Sequence, residues 1–312
     1  MTTLTVPQQL PFLEAICWQM RYRRQLTPEE MLRLYERGWH YRSVFGNPNP
    51  QEKGFIDALV QTYGSWLGSM ATLGLHQKIL QILNQLRADV FNQCHIYFGG
   101  GTMLALKYDE YRLSQDIDFL CSDRAGYRQL RSAIFDRSYA GLFESSQDIH
   151  FRREIQADQY GIRFPITVDD TTIRFEIVSE GRIDLGEAER FDWCPVACLN
   201  RVDSAAEKLL ANSDRWLDRS VLSRDLIDLA MIRSQDDLAP ESFAIAAAAY
   251  PVREPLKRAI KQFQADSDYR DCCYRNLSIQ QPHRIVDGLD LLAAEVGLPK
   301  TNRIYWEEAY LL

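Results

Sequence analysis

A glycine turn and a pair of aspartates are the residues best placed to do chemistry. Gly99–Gly101 stand between a short apolar run and a series of good helix formers that begins at Thr102. Glycines allow positive φ and leave no Cβ between the backbone and a ligand. Because free N–H groups and the helix dipole attract anions at a helix N-terminus, the stretch predicts a phosphate-binding turn. A tight turn that binds nothing would give the same pattern.

Asp116 and Asp118 alternate with Ile117 and Phe119 shortly after that turn. Alternate residues of a strand share a face, so the two carboxylates should lie side by side while their neighbours enter a core. Their repulsion would be relieved by a divalent cation, and Mg²⁺ prefers one or two carboxylates together with substrate phosphates. The pattern predicts a metal site for phosphoryl or nucleotidyl transfer. Two solvated carboxylates at a strand end are the alternative, which the apolar neighbours disfavour.

Glu176 is the best candidate for a third carboxylate, which would help to position and deprotonate an attacking hydroxyl. It lies in the middle of a predicted strand at 171–178, on the face that also carries Arg174. A surface ion pair between Arg174 and Glu176 is the alternative interpretation. Asp169 and Asp170 precede the strand and have the character of turn residues.

The glycine turn and the aspartates together resemble a known enzyme family. Gly100-Gly101-Thr102, Arg112-x-Ser114 and Asp116-x-Asp118 follow one another as in the first motif of polymerase-β-like nucleotidyltransferases. More narrowly, the order is similar to that of the AbiEii/AbiGii toxin-type nucleotidyltransferases, over about residues 95–235 and most sharply at 99–119. The resemblance implies an α+β fold, with metal carboxylates on adjacent strands of a mixed sheet and a helical domain after it.

The same resemblance implies roles for individual residues. The predicted catalytic residues are Asp116, Asp118, Glu176, Asp225 and Asp228, of which the first three are the metal ligands. The predicted nucleotide-binding residues are Gly100, Gly101, Thr102, Arg112, Ser114, Lys208 and Arg224.

Some of these roles stay open at the level of sequence. Helical periodicity alone would make Lys208 and Asp228 parts of solvated faces, whereas the resemblance assigns Lys208 to nucleotide phosphates. Asp225 and Asp228 share one helical face and could accept a proton or hold Arg224 or Lys208. Arg112 could contact phosphate or brace the turn through Asp118.

The resemblance further implies Mg²⁺ or Mn²⁺ as cofactor, an NTP as substrate, a tRNA or other RNA as acceptor and a cognate antitoxin as partner. A formal net charge of −7 argues against a basic coat over the whole molecule. A local phosphate-binding patch could lie in segment 253–284, where basic residues recur, although a solvated helix face explains them as well. A protein or small-molecule acceptor such as an antibiotic stays open, as does a nucleotide- or RNA-binding module without catalysis.

The composition of the 312-residue chain is that of a globular protein. No run of eighteen apolar residues and no signal-peptide pattern is present, and the seven cysteines are scattered. These features predict a reduced, cytoplasmic protein without a membrane span.

Three regions are predicted to position the site. They are an N-terminal helical extension at 1–72, a nucleotidyltransferase core at 73–190 and a C-terminal helical domain at 191–312. The core is expected to contain a long helix near 75–93, a helix at 125–136, and strands near 149–155, 160–168 and 171–178. A further short strand is expected after the core, within 192–198. Helices are expected in the last region near 202–213, 223–235, 240–250, 253–264, 266–276, 283–296 and 302–311.

Overall fold

The chain divides into two units, with the boundary between Gly74 and Leu75. The computed structural model describes residues 6–17, 26–38, 45, 48–63 and 74–308. Much of the predicted extension at 1–72 therefore lies outside the described residues. The second unit extends from Leu75 through the remaining described chain and contains both the predicted core and the predicted helical domain.

The first unit contains three described helices, α1 (Pro11–Ile16), α2 (Pro28–Gly38) and α3 (Pro50–Tyr63). Proline stands at the first position of each, where its missing N–H costs no hydrogen bond. The carboxylate of buried Glu52 accepts the backbone N–H groups of Phe12 and Leu13 and the Tyr35 hydroxyl, at 2.8 to 2.9 Å. One side chain from α3 thus satisfies the N-terminus of α1 and contacts α2.

The helix expected at 75–93 is interrupted in the structure. It consists of α4 (Gly74–Leu83) and α5 (Ala88–Gln93), separated by a turn. In that turn Leu86 pairs with Phe143, and the Arg87 N–H donates to the Leu142 carbonyl. The prediction of one continuous helix was wrong because these long-range backbone bonds replace the helical ones.

Six strands form one mixed sheet in the described part of the chain, in the order β1-β2-β6-β5-β3 with β4 also paired to β5. The strands are β1 (Tyr97–Gly99), β2 (Ile117–Cys121), β3 (His150–Phe151), β4 (Gln156–Ala157), β5 (Gly161–Val168) and β6 (Thr171–Ser179). Strands β2 and β6 are parallel, whereas the other pairs are antiparallel. The expected strands beside the aspartates are present, although the one near 149–155 is reduced to two residues.

The register of the sheet aligns the predicted chemical residues. Gly99 pairs with Asp118 across β1 and β2, and Asp118 pairs with Glu176 across β2 and β6. Phe119 points to the opposite face, where its ring lies 5.3 Å from that of Phe175 and 4.8 Å from that of Phe91. The alternation predicted from sequence therefore separates an acidic face from an aromatic core.

Helices α6 (Gly100–Lys107) and α7 (Arg124–Arg137) follow β1 and β2, and the second half of the unit is helical. Its helices are α8 (Arg201–Arg215), α9 (Arg224–Gln235), α10 (Pro240–Ala249), α11 (Arg253–Ala265), α12 (Ser267–Asn276) and α13 (Pro282–Glu295). Within the described part of the chain, no helix combines the length and apolar character needed to cross a bilayer.

The prediction of a helix at 302–311 is wrong over the described part of that range. A short 3₁₀ turn at Tyr305–Glu307 occurs instead, and residues 309–311 lie outside the described residues. The buried Glu307 carboxylate accepts two hydrogen bonds from Arg270 and one from the Tyr274 hydroxyl. The chain is fixed on α12 by these contacts.

The segment between sheet and helices returns to the sheet edge. The Phe98 N–H donates to the Ala197 carbonyl at 2.9 Å, and the Leu199 N–H donates to the Phe98 carbonyl at 2.8 Å. The strand predicted within 192–198 is thus limited to isolated bridges of Cys198 with Phe98 and Glu189. The start of the helical half is hydrogen-bonded to β1.

Candidate active site

The glycine bend lies directly against the second aspartate. Gly100 is the first residue of α6 and has φ of +70°, a conformation that L side chains rarely adopt. A Cβ at Gly100 would lie 2.7 Å from Asp118 Oδ2, and one at Gly101 would lie 2.2 Å from Arg112 Nη2. Both glycines therefore permit close approach of the backbone to charged side chains.

Thr102 lies behind this bend. Its buried hydroxyl donates to the Asp116 carbonyl oxygen at 2.5 Å and lies 2.9 Å from Ser114 Oγ. Since α6 and the strand end are joined by this contact, Thr102 fixes the backbone that carries Asp116. It does not line the cavity described below.

A histidine that the sequence analysis did not identify supports the same segment. His76 is fully buried, its Nε2 lies 2.9 Å from the Ser114 carbonyl, and its Nδ1 lies 2.6 Å from Glu110 Oε1. A lone histidine in a helical pattern gives no signal of such a contact. His76 acts on the site through the position of Ser114.

The three predicted metal carboxylates converge on Arg174. Its Nη2 lies 3.3 Å from Asp116 Oδ2 and 3.6 Å from Asp118 Oδ1, and its Nη1 lies 3.3 Å from Glu176 Oε2. Glu176 also accepts a hydrogen bond from Arg163 Nε at 2.6 Å. The sequence alternative of an Arg174–Glu176 pair is therefore realised, but as part of a larger cluster that includes both aspartates.

Burial makes the charge of this cluster costly. It raises the pKa of Asp118 to about 6, while Arg174 opposes the rise and Asp116 adds to it. A set of carboxylates is what a divalent cation prefers, so the donor chemistry fits the expected metal. As the described side chains stand, however, no three acidic, histidine or cysteine groups are placed to hold an ion. Arg174 fills the space between the carboxylates, and its side chain is 55 % exposed.

A cavity of about 260 Å³ opens beside the carboxylates and the glycine bend. Eight of the predicted site residues line it: Gly100, Gly101, Arg112, Ser114, Asp116, Asp118, Lys208 and Arg224. Four predicted residues do not: Thr102, Glu176, Asp225 and Asp228. Segments that are more than a hundred residues apart in sequence thus line the same cavity.

A buried ion network contributes to the lining of that cavity. Asp228 accepts from Arg112 Nε and Nη2 at 2.6 and 2.8 Å and from the Tyr111 hydroxyl at 2.6 Å, and Lys208 Nζ lies 2.6 Å away. Asp225 binds Lys208 and receives two hydrogen bonds from Arg215 at 2.6 and 2.9 Å. Both aspartates are therefore fully engaged with cations.

These contacts bear on the roles left open by the sequence. The neighbouring cations hold the pKa of Asp225 and of Asp228 below the ordinary range despite burial, which opposes it. A carboxylate of low pKa is a weak base, so the geometry favours holding of Lys208 and Arg112 over proton transfer. Arg112 is braced through Asp228, and not through Asp118, which was one of the two alternatives that the sequence left open for it.

Arg224 differs from the other cations of the cavity. Among the residues that the structure describes, no carboxylate lies within ion-pair distance of its guanidinium, whereas Arg112, Lys208, Arg215 and Arg182 each have at least one. A cation without a protein partner at a cavity wall is available to a ligand anion.

The helical side of the cavity contains further polar groups that the sequence analysis did not assign. Arg182 Nη2 lies 2.7 Å from Glu180 Oε2 and 3.0 Å from Glu207 Oε2. Burial, followed by the charge of Glu180, raises the pKa of Glu207 to about 8. Ser204 Oγ and Glu207 Oε1 are buried and have no hydrogen-bond partner in the described structure. Their spacing with Lys208 on α8 places all three on one helical face, a signal that was present in the sequence.

Sequence comparison identifies the family of the chain. Residues 81–273 match the family described as "Nucleotidyl transferase AbiEii toxin, Type IV TA system", which is more than half of the chain. The chain therefore belongs to the AbiEii family of nucleotidyltransferase toxins. This match confirms the predicted family and the predicted class of enzyme, and the mixed sheet followed by helices confirms the predicted α+β fold.

Two solved structures are also similar, each over 71% of this chain. One is a candidate nucleotidyltransferase from H. pylori, 16% identical, with a TM-score of 0.39 and 92% of its chain covered. The other is JHP933 from Helicobacter pylori, 17% identical, with a TM-score of 0.41 and 90% covered. No curated protein matches the chain.

Proposed function

We propose that the protein transfers a nucleoside monophosphate from an NTP to an acceptor hydroxyl, with Mg²⁺ or Mn²⁺ as cofactor. The observation that supports this most directly is the convergence of Asp116, Asp118 and Glu176 beside the glycine bend. The reaction requires a third carboxylate on a neighbouring strand, and Glu176 pairs with Asp118 across β2 and β6. A non-catalytic module would be favoured by a Glu176 directed elsewhere. One oxygen of Glu176 accepts from Arg163, and the other lies 3.3 Å from the Arg174 guanidinium that also contacts both aspartates.

The residues around the cavity have distinct proposed tasks toward the triphosphate. The backbone of Gly100 and Gly101 at the start of α6, the Ser114 hydroxyl and the guanidinium of Arg224 bind phosphate oxygens. Lys208 and Arg112 contribute positive charge from fixed positions, because Asp225 and Asp228 hold them. Thr102 is a positioning residue that acts through Asp116.

Asp116, Asp118 and Glu176 are the groups that would hold the cation, once Arg174 has moved from between them. A bound divalent cation supplies neutralisation of phosphate charge and a lower pKa for the attacking hydroxyl. In the transfer, the acceptor oxygen bonds to the α-phosphorus while the bond to the β-phosphate oxygen breaks. Pyrophosphate leaves with the electron pair, and the hydroxyl proton passes to a carboxylate of the cluster.

The toxin–antitoxin description of the family bears on the partner, and the sequence resemblance bears on the acceptor. We infer an RNA acceptor such as tRNA, a cognate antitoxin and a cytoplasmic location, supported by the toxin–antitoxin description of the family and by the sequence resemblance. A small-molecule acceptor such as an antibiotic is the second candidate, since the same cavity could present its hydroxyl to the α-phosphorus.

The test is transfer from each NTP, radiolabelled at the α-phosphate, to the components of a cell extract in the presence of Mg²⁺. We expect the wild type to label RNA and Asp116→Asn/Asp118→Asn to lose at least about a hundredfold in rate. Asp169→Asn/Asp170→Asn is the matched control, because these exposed aspartates lie in the turn between β5 and β6. Equal labelling by the wild type and the catalytic variant would refute the proposal, and a labelled small molecule would favour the second candidate.

A further inference from the structure

Helix α7 presents two arginines and an unusually exposed aromatic ring on one face. Arg128, Arg131 and Phe135 are spaced three and four residues apart, so they share a side of the helix. Phe135 is 91% exposed, so its ring is not stabilised by burial in the core. Proteins that bind single-stranded nucleic acids stack the bases on aromatic rings that lie beside basic side chains.

The segment between β3 and β4 brings two more arginines to the same place. Arg152 and Arg153 follow β3 directly, and both are exposed. The Tyr139 ring stacks on Phe151 at 3.8 Å, and its hydroxyl donates to the Arg153 carbonyl. The two arginines are therefore carried by backbone that is fixed at the end of α7.

These five residues, Arg128, Arg131, Arg152, Arg153 and Phe135, are called the arginine surface below. They line a cavity of about 1140 Å³, far larger than the cavity beside the carboxylates. Asp136 and Glu154 line it too, yet no carboxylate of the described chain is within ion-pair distance of the four arginines. The surface thus combines unpaired positive charge with room for an extended polyanion.

The arginine surface is linked to the candidate active site through the lining residues of a third cavity. That cavity, of about 340 Å³, shares Arg153 and Glu154 with the large one. The same third cavity shares Asp116 and Arg174 with the cavity beside the glycine bend. The series of cavities from the arginines to the carboxylates is therefore linked by Arg153 and Glu154 at one junction and by Asp116 and Arg174 at the other.

We propose that the arginine surface binds a single-stranded segment of the acceptor RNA and leads its terminal hydroxyl to Asp116 and Asp118. The proposal rests on the proposed function, because it assumes that the acceptor is RNA. Phosphates pair with the four arginines, and a base stacks on Phe135. The basic patch predicted at 253–284 is less suited, since Lys257, Arg258 and Lys261 line none of the three cavities.

The test is binding of a fluorescein-labelled, mixed-sequence RNA of about 20 nucleotides, followed by anisotropy at several salt concentrations. Arg128→Glu/Arg153→Glu should weaken binding at least about tenfold and flatten the salt dependence. Arg258→Glu/Lys261→Glu makes the same change of charge at exposed positions of α11 and should bind as the wild type does. Phe135→Ala should weaken binding about fivefold with the salt dependence unchanged, because it removes stacking and no charge. Circular dichroism melting checks that all variants remain folded.

Three results would overturn the arginine surface. They are no binding by the wild type, wild-type binding by Arg128→Glu/Arg153→Glu, or equal loss in the α11 control. Transfer distinguishes this failure from failure of the proposed function. Loss of RNA binding in the arginine variant, together with no transfer by the wild type, leaves the surface standing and removes the enzyme. Undiminished transfer to RNA by the arginine variant removes the surface and leaves the enzyme.

Discussion

Arg174 occupies the space between three carboxylates that the proposed reaction requires for a metal. It can do so because β2 and β6 are parallel neighbours, which places Asp118 beside Glu176 and directs Arg174 toward both aspartates. Buried like charges cost free energy, and a guanidinium offsets part of that cost. More than half of the Arg174 side chain is exposed, so it can leave without breaking the core.

Removal of this guanidinium should strengthen metal binding. We expect Arg174→Gln to bind Mn²⁺ about tenfold more tightly than the wild type, because the ion no longer has to displace a guanidinium from the carboxylates. Titration calorimetry or the Mn²⁺ electron spin resonance signal measures this affinity without any turnover. Arg182→Gln, across the cavity and paired with Glu180 and Glu207, is the control and should not change it. Unchanged affinity in Arg174→Gln would mean that Arg174 does not compete with the ion.

Residues within a short stretch could be predicted, and those joined across the fold could not. Gly100, Gly101 and the two aspartates form a local pattern whose chemistry is legible without a structure. Arg112 and Asp228 are 116 residues apart, and no spacing rule connects them. Phe135 and the nearby arginines carried no signal either, since exposed charges on a helix are ordinary.

At the scale of elements, helices α8 and α9 position the cations on the helical side of the cavity. Asp228 on α9 is fully buried and ties that helix to the segment after α6 through Arg112 and Tyr111. A buried ion pair contributes little net stability, but removal of one partner leaves the other charge without compensation.

Asp228→Asn should therefore lower the free energy of unfolding by about 3 kcal/mol, as the buried Arg112 and Lys208 lose their shared counter-charge. Urea or thermal unfolding followed by circular dichroism measures the change. Asp237→Asn, just beyond the same helix, removes an ion pair with Arg233 in which the aspartate is 84% exposed. The loss there should be below about 0.5 kcal/mol. If both variants unfolded alike, the network would not have the structural role that its burial indicates.

Most helices could be predicted because amphipathic periodicity and proline breaks are local. The two failures, at 75–93 and 302–311, share a cause. At Leu86 and Arg87 the backbone bonds to the segment near Phe143, and at Glu307 a side chain bonds to Arg270. Tertiary contacts replaced a helix that the propensities favoured, and no window of sequence contains such contacts.

For the whole molecule, Glu207 makes stability depend on pH in an unusual direction. Its pKa rises from an ordinary value of 4.5 to about 8, mainly through burial. The folded protein therefore holds this proton more tightly than the unfolded chain. The resulting stability is complete below the unfolded pKa and is lost as pH rises through the folded pKa.

Glu207→Gln keeps the shape of the side chain but cannot ionise. Between about pH 6 and about pH 9, the melting temperature of this variant should fall less than that of the wild type. Differential scanning calorimetry at matched ionic strength gives both slopes. Glu241→Gln, at an exposed position of α10, should follow the wild-type slope. Parallel slopes for Glu207→Gln and the wild type would show that Glu207 is ionised in the folded protein throughout this range.

The hydrogen bonds between Phe98 and the backbone of residues 197 and 199 have a consequence for how such a protein can be divided. A chain severed after residue 190 would leave an open sheet edge and would deprive the buried Arg112 guanidinium of its partner Asp228. Neither the part before residue 190 nor the part after it could be transferred to a related protein without the other part. Exchange of only one part between relatives would therefore yield hybrids that lack the native contacts between the sheet edge, Arg112 and the helical half.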